Sequence, residues 1–418
     1  MSAIIAANSE PPPEMRDADE ILIFGAGNIG RSFVGQIFAR AGYRVIFADL
    51  DRELVARLRE AGRYEVVHRY PDGREDRLTV EGVTAIEADR SRALAPVLSR
   101  VPLVATSVGA AALPHLLPLL TAEAVRRAEA GERRFDLILA ENIHGGGELV
   151  RGAMIAALRA RGFRAAYATT SPRGASPGVI ECSVGKMVPI VPAERRAREP
   201  LTVYAESFNT LIVDEMGWVG PIPVVGDLRA VDPIAAWVDR KLFIHNLGHA
   251  ACAYFAAERR GELTYIWQAV ADRAIRERSR AAMARSAAAL EAEYPGVFSP
   301  HDLEEHIDDL LHRFSSRSLG DTIFRVGRDV VRKLGPSDRI VGAIALLRRH
   351  GMDAAPVEEV YRAALHFDGR DEAGEPFPAD RAFRRRLQEH SDPILVLAEV
   401  SGFDPKIDRA LLQRLLDA

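Results

Sequence analysis

The sequence predicts an α/β protein in which a doubly wound parallel sheet domain is followed by a mainly α-helical C-terminal domain. Three observations carry this reading. Residues 21 to 49 run strand, glycine turn, helix, strand; short apolar runs then alternate with helical patterns as far as about residue 198; amphipathic helical patterns dominate beyond. Strands alternating with helices imply βαβ units and a parallel sheet. A chain of 418 residues also exceeds what one hydrophobic core usually supports, so two domains are expected.

The first 19 residues, with a Pro triplet at 11 to 13 among several carboxylates, lack the basic start and apolar core of a leader and read as a disordered tail. Residues 20 to 198 form the sheet domain. ILIF at 21 to 24 is a strand, RSFVGQIFARAG follows at helical spacing, and RVIFAD at 44 to 49 is the next strand. The segment 63 to 88, with Pro71, Asp72 and Gly73 as turn residues, reads as a strand pair inserted into the sheet. Residues 101 to 120 are free of charge, yet Gly109, Pro114, His115 and Pro118 break them. A buried strand, a glycine turn and a short helix fit better than a membrane span. A further strand is expected at 136 to 140. The Pro-rich passage around Met187 to Phe208 marks the junction, and 199 to 418 form the helical domain, with helices predicted over 302 to 313, 322 to 334 and 337 to 350.

Lys plus Arg number 55 against 59 Asp plus Glu, a net charge of -4 that calls for neither nucleic acid nor an anionic membrane. Cys182 and Cys252 alone give no disulfide framework and no zinc spacing, so a reducing cytoplasm is the default and no metal is expected. A small-molecule enzyme fits these bounds.

Gly25, Ala26, Gly27, Asn28, Ile29 and Gly30 follow the first strand directly and open a helix. In that setting the first glycine makes the tight turn, the second lets backbone approach a pyrophosphate, and the third allows helix to pack on strand. Asp49 ends the second strand, where a carboxylate holds ribose hydroxyls. Asp49 and Asp51 would repel the extra phosphate of NADP, and only Arg52 stands near to welcome it, so the Rossmann-type reading specifies NAD. Ser107, Val108 and Gly109 end another strand at the same edge; their backbone either lines the nicotinamide ribose or forms a simple turn.

In the helical half, Lys241, Asn246 and His249 lie at offsets of five and eight. On an α-helix His249 stands about 80 degrees and Asn246 about 140 degrees from Lys241, so the three border one cleft only if the helix lies along it. A lysine whose pKa is lowered is a general base, and an asparagine donates hydrogen bonds without charge. A solvated lysine, a capping asparagine and a core histidine remain the alternative for the same trio.

The loop FGAGNIGR, the strand end AEN at 140 to 142, RKLF-x-x-N-x-GHA from Arg240 and RVGR-x-x-x-RKL-x-x-x-DR from Arg325 to Arg339 together resemble the polyol-specific long-chain dehydrogenases of the mannitol dehydrogenase family. The similarity runs in order from about residue 21 to 400. It implies that Lys241 takes the alcohol proton, that Asn142 and Asn246 polarise the oxygen, and that His249 holds a neighbouring hydroxyl, with the site drawing on both domains. Where such relatives carry Asp-Arg before Val-Pro, this chain has Gly185 and Lys186; Lys186 keeps the charge and is a substrate-binding candidate.

Arg325, Arg328 and Arg332, at offsets of three and seven on an expected helix, would share one face with Lys333 adjacent. Such a face suits a phosphate, since Arg offers bidentate donors; a solvated face paired with Asp321, Asp329 and Asp338 is the other outcome. The expected reaction is NAD-dependent interconversion of mannitol 1-phosphate and fructose 6-phosphate by a monomer whose partner is that small molecule. A dehydrogenase of an unphosphorylated polyol, a fructuronate or tagaturonate reductase, and a non-catalytic NAD-binding sensor are the alternatives.

Overall fold

The computed structural model describes residues 19 to 141, 145 to 163, 175 to 189 and 191 to 417. The expected N-terminal tail and Asn142 lie outside the described residues. The chain divides into two compact units, Met1–His68 with Asp76–Ile234, and Arg69–Glu75 with Ala235–Ala418.

Among the described residues the first unit carries eleven strands: β1 Glu20–Phe24, β2 Arg44–Asp49, β3 Arg63–Arg69, β4 Glu75–Glu81, β5 Val83–Glu87, β6 Leu103–Thr106, β7 Asp136–Leu139, β8 Gly178–Ser183, β9 Thr202–Glu206, β10 Leu211–Asp214 and β11 Leu228–Val231. Eight of them form one sheet in the order β11-β10-β8-β7-β6-β1-β2-β5. From β8 to β5 every pairing is parallel, while β10 turns antiparallel to β8. Side chains alternate across β1: Ile21 and Ile23 enter one core with Phe33, Phe38 and Phe47, and Leu22 and Phe24 enter the other with Leu94, Leu120 and Leu137. Burial on both faces is why these strands read as continuous apolar runs.

Two expectations are corrected here. The strand pair β3 and β4 is not inserted in the main sheet; it forms a separate three-stranded sheet with β9, and β5 alone pairs with β2. The partner β9 lies more than 120 residues downstream of β4, beyond the reach of a local pattern. Nor does the first unit end at residue 198. Strands β9 to β11 belong to it, so the junction follows Ile234. The apolar stretch at 101 to 120 folds as β6, a turn with Gly109 at φ 87° and the helix Leu113–Ala130, longer than the short helix expected.

The second unit is helical. Leu247–Ala257 is buried on nearly every side and packs on the 21-residue helix Arg273–Glu293, which also meets Pro300–Phe314, Val341–Arg349 and Ala355–Leu365. A helix apolar all round belongs at the centre of a helical unit. Among the described residues no helix is long and apolar enough to cross a membrane.

Candidate functional site

The glycine loop has the shape its motif demands. Gly25 sits at φ 95°, and a Cβ there would meet the Ser107 carbonyl oxygen at 2.6 Å. A Cβ on Gly30 would meet the Gly25 oxygen at 2.0 Å, so helix and turn are in close packing. A Cβ on Gly27 would meet nothing within 4 Å, which leaves that side of the backbone open to a ligand. The loop is braced from behind by the buried Arg31, whose Nε donates to the Ala26 carbonyl at 2.7 Å. Asn28 and Ile29 begin the helical winding, and Gly30–Gly35 is wound as π-helix before α-helix resumes.

Asp49 closes the loop from the next strand: Oδ2 accepts the Ala26 N–H at 2.6 Å and Oδ1 the Asp51 N–H at 2.9 Å. Each carboxylate oxygen has a further lone pair, so hydroxyls can still be accepted. Arg52 pairs with Asp89 at 2.7 Å and Glu87 at 3.5 Å. Arg52 therefore already has carboxylate partners, which suits a dinucleotide without a 2′-phosphate. These residues fit NAD.

At the carboxyl end of β6, the Ser107 N–H donates to Phe24 O at 2.8 Å and its hydroxyl to Gly25 O at 2.9 Å. Glu141, which the motif reading passed over, is 7% exposed and lies two residues beyond the end of β7. It accepts the Thr106 hydroxyl at 2.6 Å and the Val108 N–H at 3.0 Å. Its position beside Asn142 in the AEN run was the available signal.

Lys186 is placed in a protein network. It is 6% exposed in the first unit, and its ammonium donates to the Phe208 carbonyl at 2.8 Å and to Asn209 Oδ1 at 3.1 Å. Asn209 in turn binds Gln36 and Asp227. The amine is thus part of a hydrogen-bond network within its own unit.

In the second unit, Lys241 opens a π-helical turn, Lys241–Asn246, between α-helices Ile234–Arg240 and Leu247–Ala257. A π-helix bonds i to i+5, so an offset of five is roughly one turn. The separation of about 140 degrees expected on an α-helix is thereby largely closed, and Lys241 and Asn246 share a face. Asn246 and His249, three apart, are neighbours on the winding that follows. Burial, with the Arg339 guanidinium adding to it, pushes the Lys241 amine down to about 7. His245 is a core residue against Phe314, at 5.6 Å between rings.

His249 stacks on Phe314 at 4.7 Å and sets Nε2 3.4 Å from Asp321 Oδ2. The other oxygen of that buried carboxylate binds Arg325. Asp321 thus joins two candidate residues, a role legible beforehand only as an i, i+4 pair with Arg325.

The expected basic face is broken. Ile323–Gly327 and Val330–Lys333 are separate short helices, because Asp329 takes φ 66° between them. Asp380 holds that break, accepting the N–H groups of Asp329 at 2.9 Å and Val330 at 2.7 Å. Arg325, Arg328 and Arg332 therefore do not share one helix face. Arg332 pairs with Asp329 at 2.5 Å and Asp338 at 3.1 Å. Lys333, 4% exposed, donates to the Arg328 carbonyl, and burial, Arg339 and Arg332 push its amine to about 7 as well.

Residues 19–225 match the mannitol dehydrogenase Rossmann domain and residues 233–415 the mannitol dehydrogenase C-terminal domain. The chain is 32% identical over 350 residues to a mannitol-1-phosphate 5-dehydrogenase of Brevibacillus brevis, covering 84% of this chain and 86% of that protein. It is 31% identical to the enzyme so named from Geobacillus thermodenitrificans, over 76% of this chain and 78% of that one. Among solved structures it resembles a D-sorbitol dehydrogenase in substrate-free form (TM-score 0.73, 17% identity, 94% of this chain and 91% of that one). It also resembles Pseudomonas fluorescens mannitol 2-dehydrogenase in ternary complex with NAD and D-mannitol (TM-score 0.67, 16% identity, 97% and 95%). Both structures show the same fold, a Rossmann-like parallel sheet domain followed by a helical domain. With both family domains matched in order along the chain, the protein belongs to the mannitol dehydrogenase family of oxidoreductases.

Proposed function

We propose that the protein is a cytoplasmic NAD-dependent dehydrogenase that interconverts mannitol 1-phosphate and fructose 6-phosphate, with Lys241 as general base. The observation that carries this reading is the Lys241 amine, lowered to about 7 at the head of a π-turn that also presents Asn246. An amine with that pKa is half deprotonated near neutral pH, where a general base works best. The names of the relatives support the substrate.

Gly25 to Gly30, Asp49 and Ser107 to Gly109 would hold NAD, which when bound supplies the hydride acceptor. Lys241 Nζ takes the hydroxyl proton of the alcohol as the carbon gives up its hydride, so that a C–O single bond becomes a carbonyl. In the reverse direction the ammonium returns the proton. Asn246, with Asn142, donates hydrogen bonds to the oxygen as charge develops on it. His249 holds an adjacent hydroxyl, with Asp321 fixing its ring.

A second reading, turnover of an unphosphorylated polyol or a hexuronate, is favoured by one observation. Arg325 and Arg332 already have carboxylate partners and no longer form a single basic face. A coupled screen of mannitol 1-phosphate and mannitol in oxidation, and of fructose 6-phosphate, fructose, fructuronate and tagaturonate in reduction, separates the two. The phosphorylated pair is expected to give the highest kcat/KM. Equal kcat/KM for mannitol and its phosphate would remove the phosphate from the proposal.

A further inference from the structure

Glu141 is a buried ionisable group that the proposed chemistry does not use. Both of its carboxyl oxygens are engaged, Oε2 by the Thr106 hydroxyl at 2.6 Å and Oε1 by the Val108 N–H at 3.0 Å, and both neighbours act as donors. The Gly109 N–H donates to it as well. Donors that converge on a carboxyl favour its ionised form over the protonated one. Burial pushes its pKa upward, and these donors oppose that rise.

Its place in the sheet gives the charge a consequence. An open sheet binds a dinucleotide across its carboxyl edge, one nucleotide on each side of the first strand. Asp49 at the end of β2 takes the adenosine side. The nicotinamide then falls to the β6 and β7 side, where Glu141 lies two residues beyond the end of β7 and Thr106, its hydrogen-bond partner, pairs with Leu139. The oxidised ring carries a positive charge and the reduced ring none, so a fixed negative charge in a poorly solvated setting acts on one form only.

Resting on the NAD reading above, we propose that Glu141 selects the oxidised over the reduced dinucleotide by its charge. It also steadies the segment 106 to 109, but steadying alone would serve both forms equally.

The test is the dissociation constant of NAD⁺ and of NADH for the full-length wild type, E141Q and E141D, with thermal unfolding recorded for each. Glutamine keeps the shape and loses the charge, and is expected to raise the ratio Kd(NAD⁺)/Kd(NADH) about fivefold. Aspartate keeps the charge and is expected to leave the ratio within about twofold of the wild type even where both affinities fall. If E141Q does not fold, E141M removes the charge at similar volume. A ratio unchanged in the neutral variant overturns the inference while the NAD reading stands. A wild type that binds neither form overturns the NAD reading itself.

Discussion

Two lysines of the helical unit, Lys241 and Lys333, are both pushed down to about 7, chiefly by burial, with the Arg339 guanidinium adding to it at each and Arg332 also at Lys333. They differ in surroundings. Lys333 is nearly sealed and donates to the Arg328 carbonyl, on a short helix whose start is fixed by Asp380. The π-turn that Lys241 opens sets Asn246 on its own face. A lowered pKa therefore does not single out a base. The proposed assignment rests on the neighbours: Asn246 lies on the π-turn of Lys241, whereas the short helix of Lys333 offers only Arg332, which is paired with Asp329 and Asp338.

The largest effect that can break this contrast is on turnover. Lys241→Ala is expected to lower kcat by about 10²–10⁴-fold, the usual contribution of general acid–base catalysis, with NADH affinity unchanged in a fluorescence titration. Lys333→Met is expected to keep kcat within about threefold and to act on KM instead. Equal losses of kcat in the two variants would erase the distinction.

Next in size is Asp321, which belongs to the Lys241 side of the contrast through His249. Asp321→Ala removes the carboxylate beside the imidazole and the partner of Arg325, and is expected to cost about 10–100-fold in kcat/KM, by analogy with the loss of a partner that orients a metal-bound histidine. An effect on thermal stability with kcat/KM intact would reduce Asp321 to a structural carboxylate.

The pH profile sharpens the comparison. The base must be neutral for alcohol oxidation, and its pKa is lowered from 10.5 to about 7. Below 7 the amine is protonated, so kcat/KM for oxidation falls about tenfold per pH unit and levels off above; ketone reduction, which needs the ammonium, runs the opposite way. Lys333→Met is expected to keep this inflection. A variant of Lys333 that loses it would make that residue the titrating group.

The smallest effect is on stability. Lys333 has a folded pKa below its unfolded value of about 10.5, so burial of its charge disfavours folding. That penalty is constant below about pH 7, where both states are protonated. It fades as pH rises towards 10.5, where the unfolded state binds more protons. The Tm advantage of Lys333→Met over the wild type should therefore shrink between pH 7 and 10. A gap that widens would contradict the buried-amine reading.

The two halves also differ in how much of them was legible in the sequence. The glycine loop and Asp49 were, because strand, turn and helix follow one another in the chain and each glycine meets a local demand. The face shared by Lys241 and Asn246 was not: nothing in KLFIHN announces π-winding, and α-helical geometry puts the pair on diverging faces. The broken basic face was illegible for a different reason. Its cause is Asp380, some fifty residues downstream, capturing the N–H groups of Asp329 and Val330. The network around Lys186 was not legible either, because a charge can be read from sequence while its partner, Asn209, is a matter of tertiary packing.

The assignment of the base is tested most directly by chemical rescue of Lys241→Ala with small primary amines, assayed in the direction of alcohol oxidation. Activity is expected to return in proportion to the concentration of free amine and to grow with its basicity, while Lys333→Ala gains nothing from the same amines. Wild-type turnover by Lys241→Ala without any amine, or rescue confined to Lys333→Ala, would contradict it.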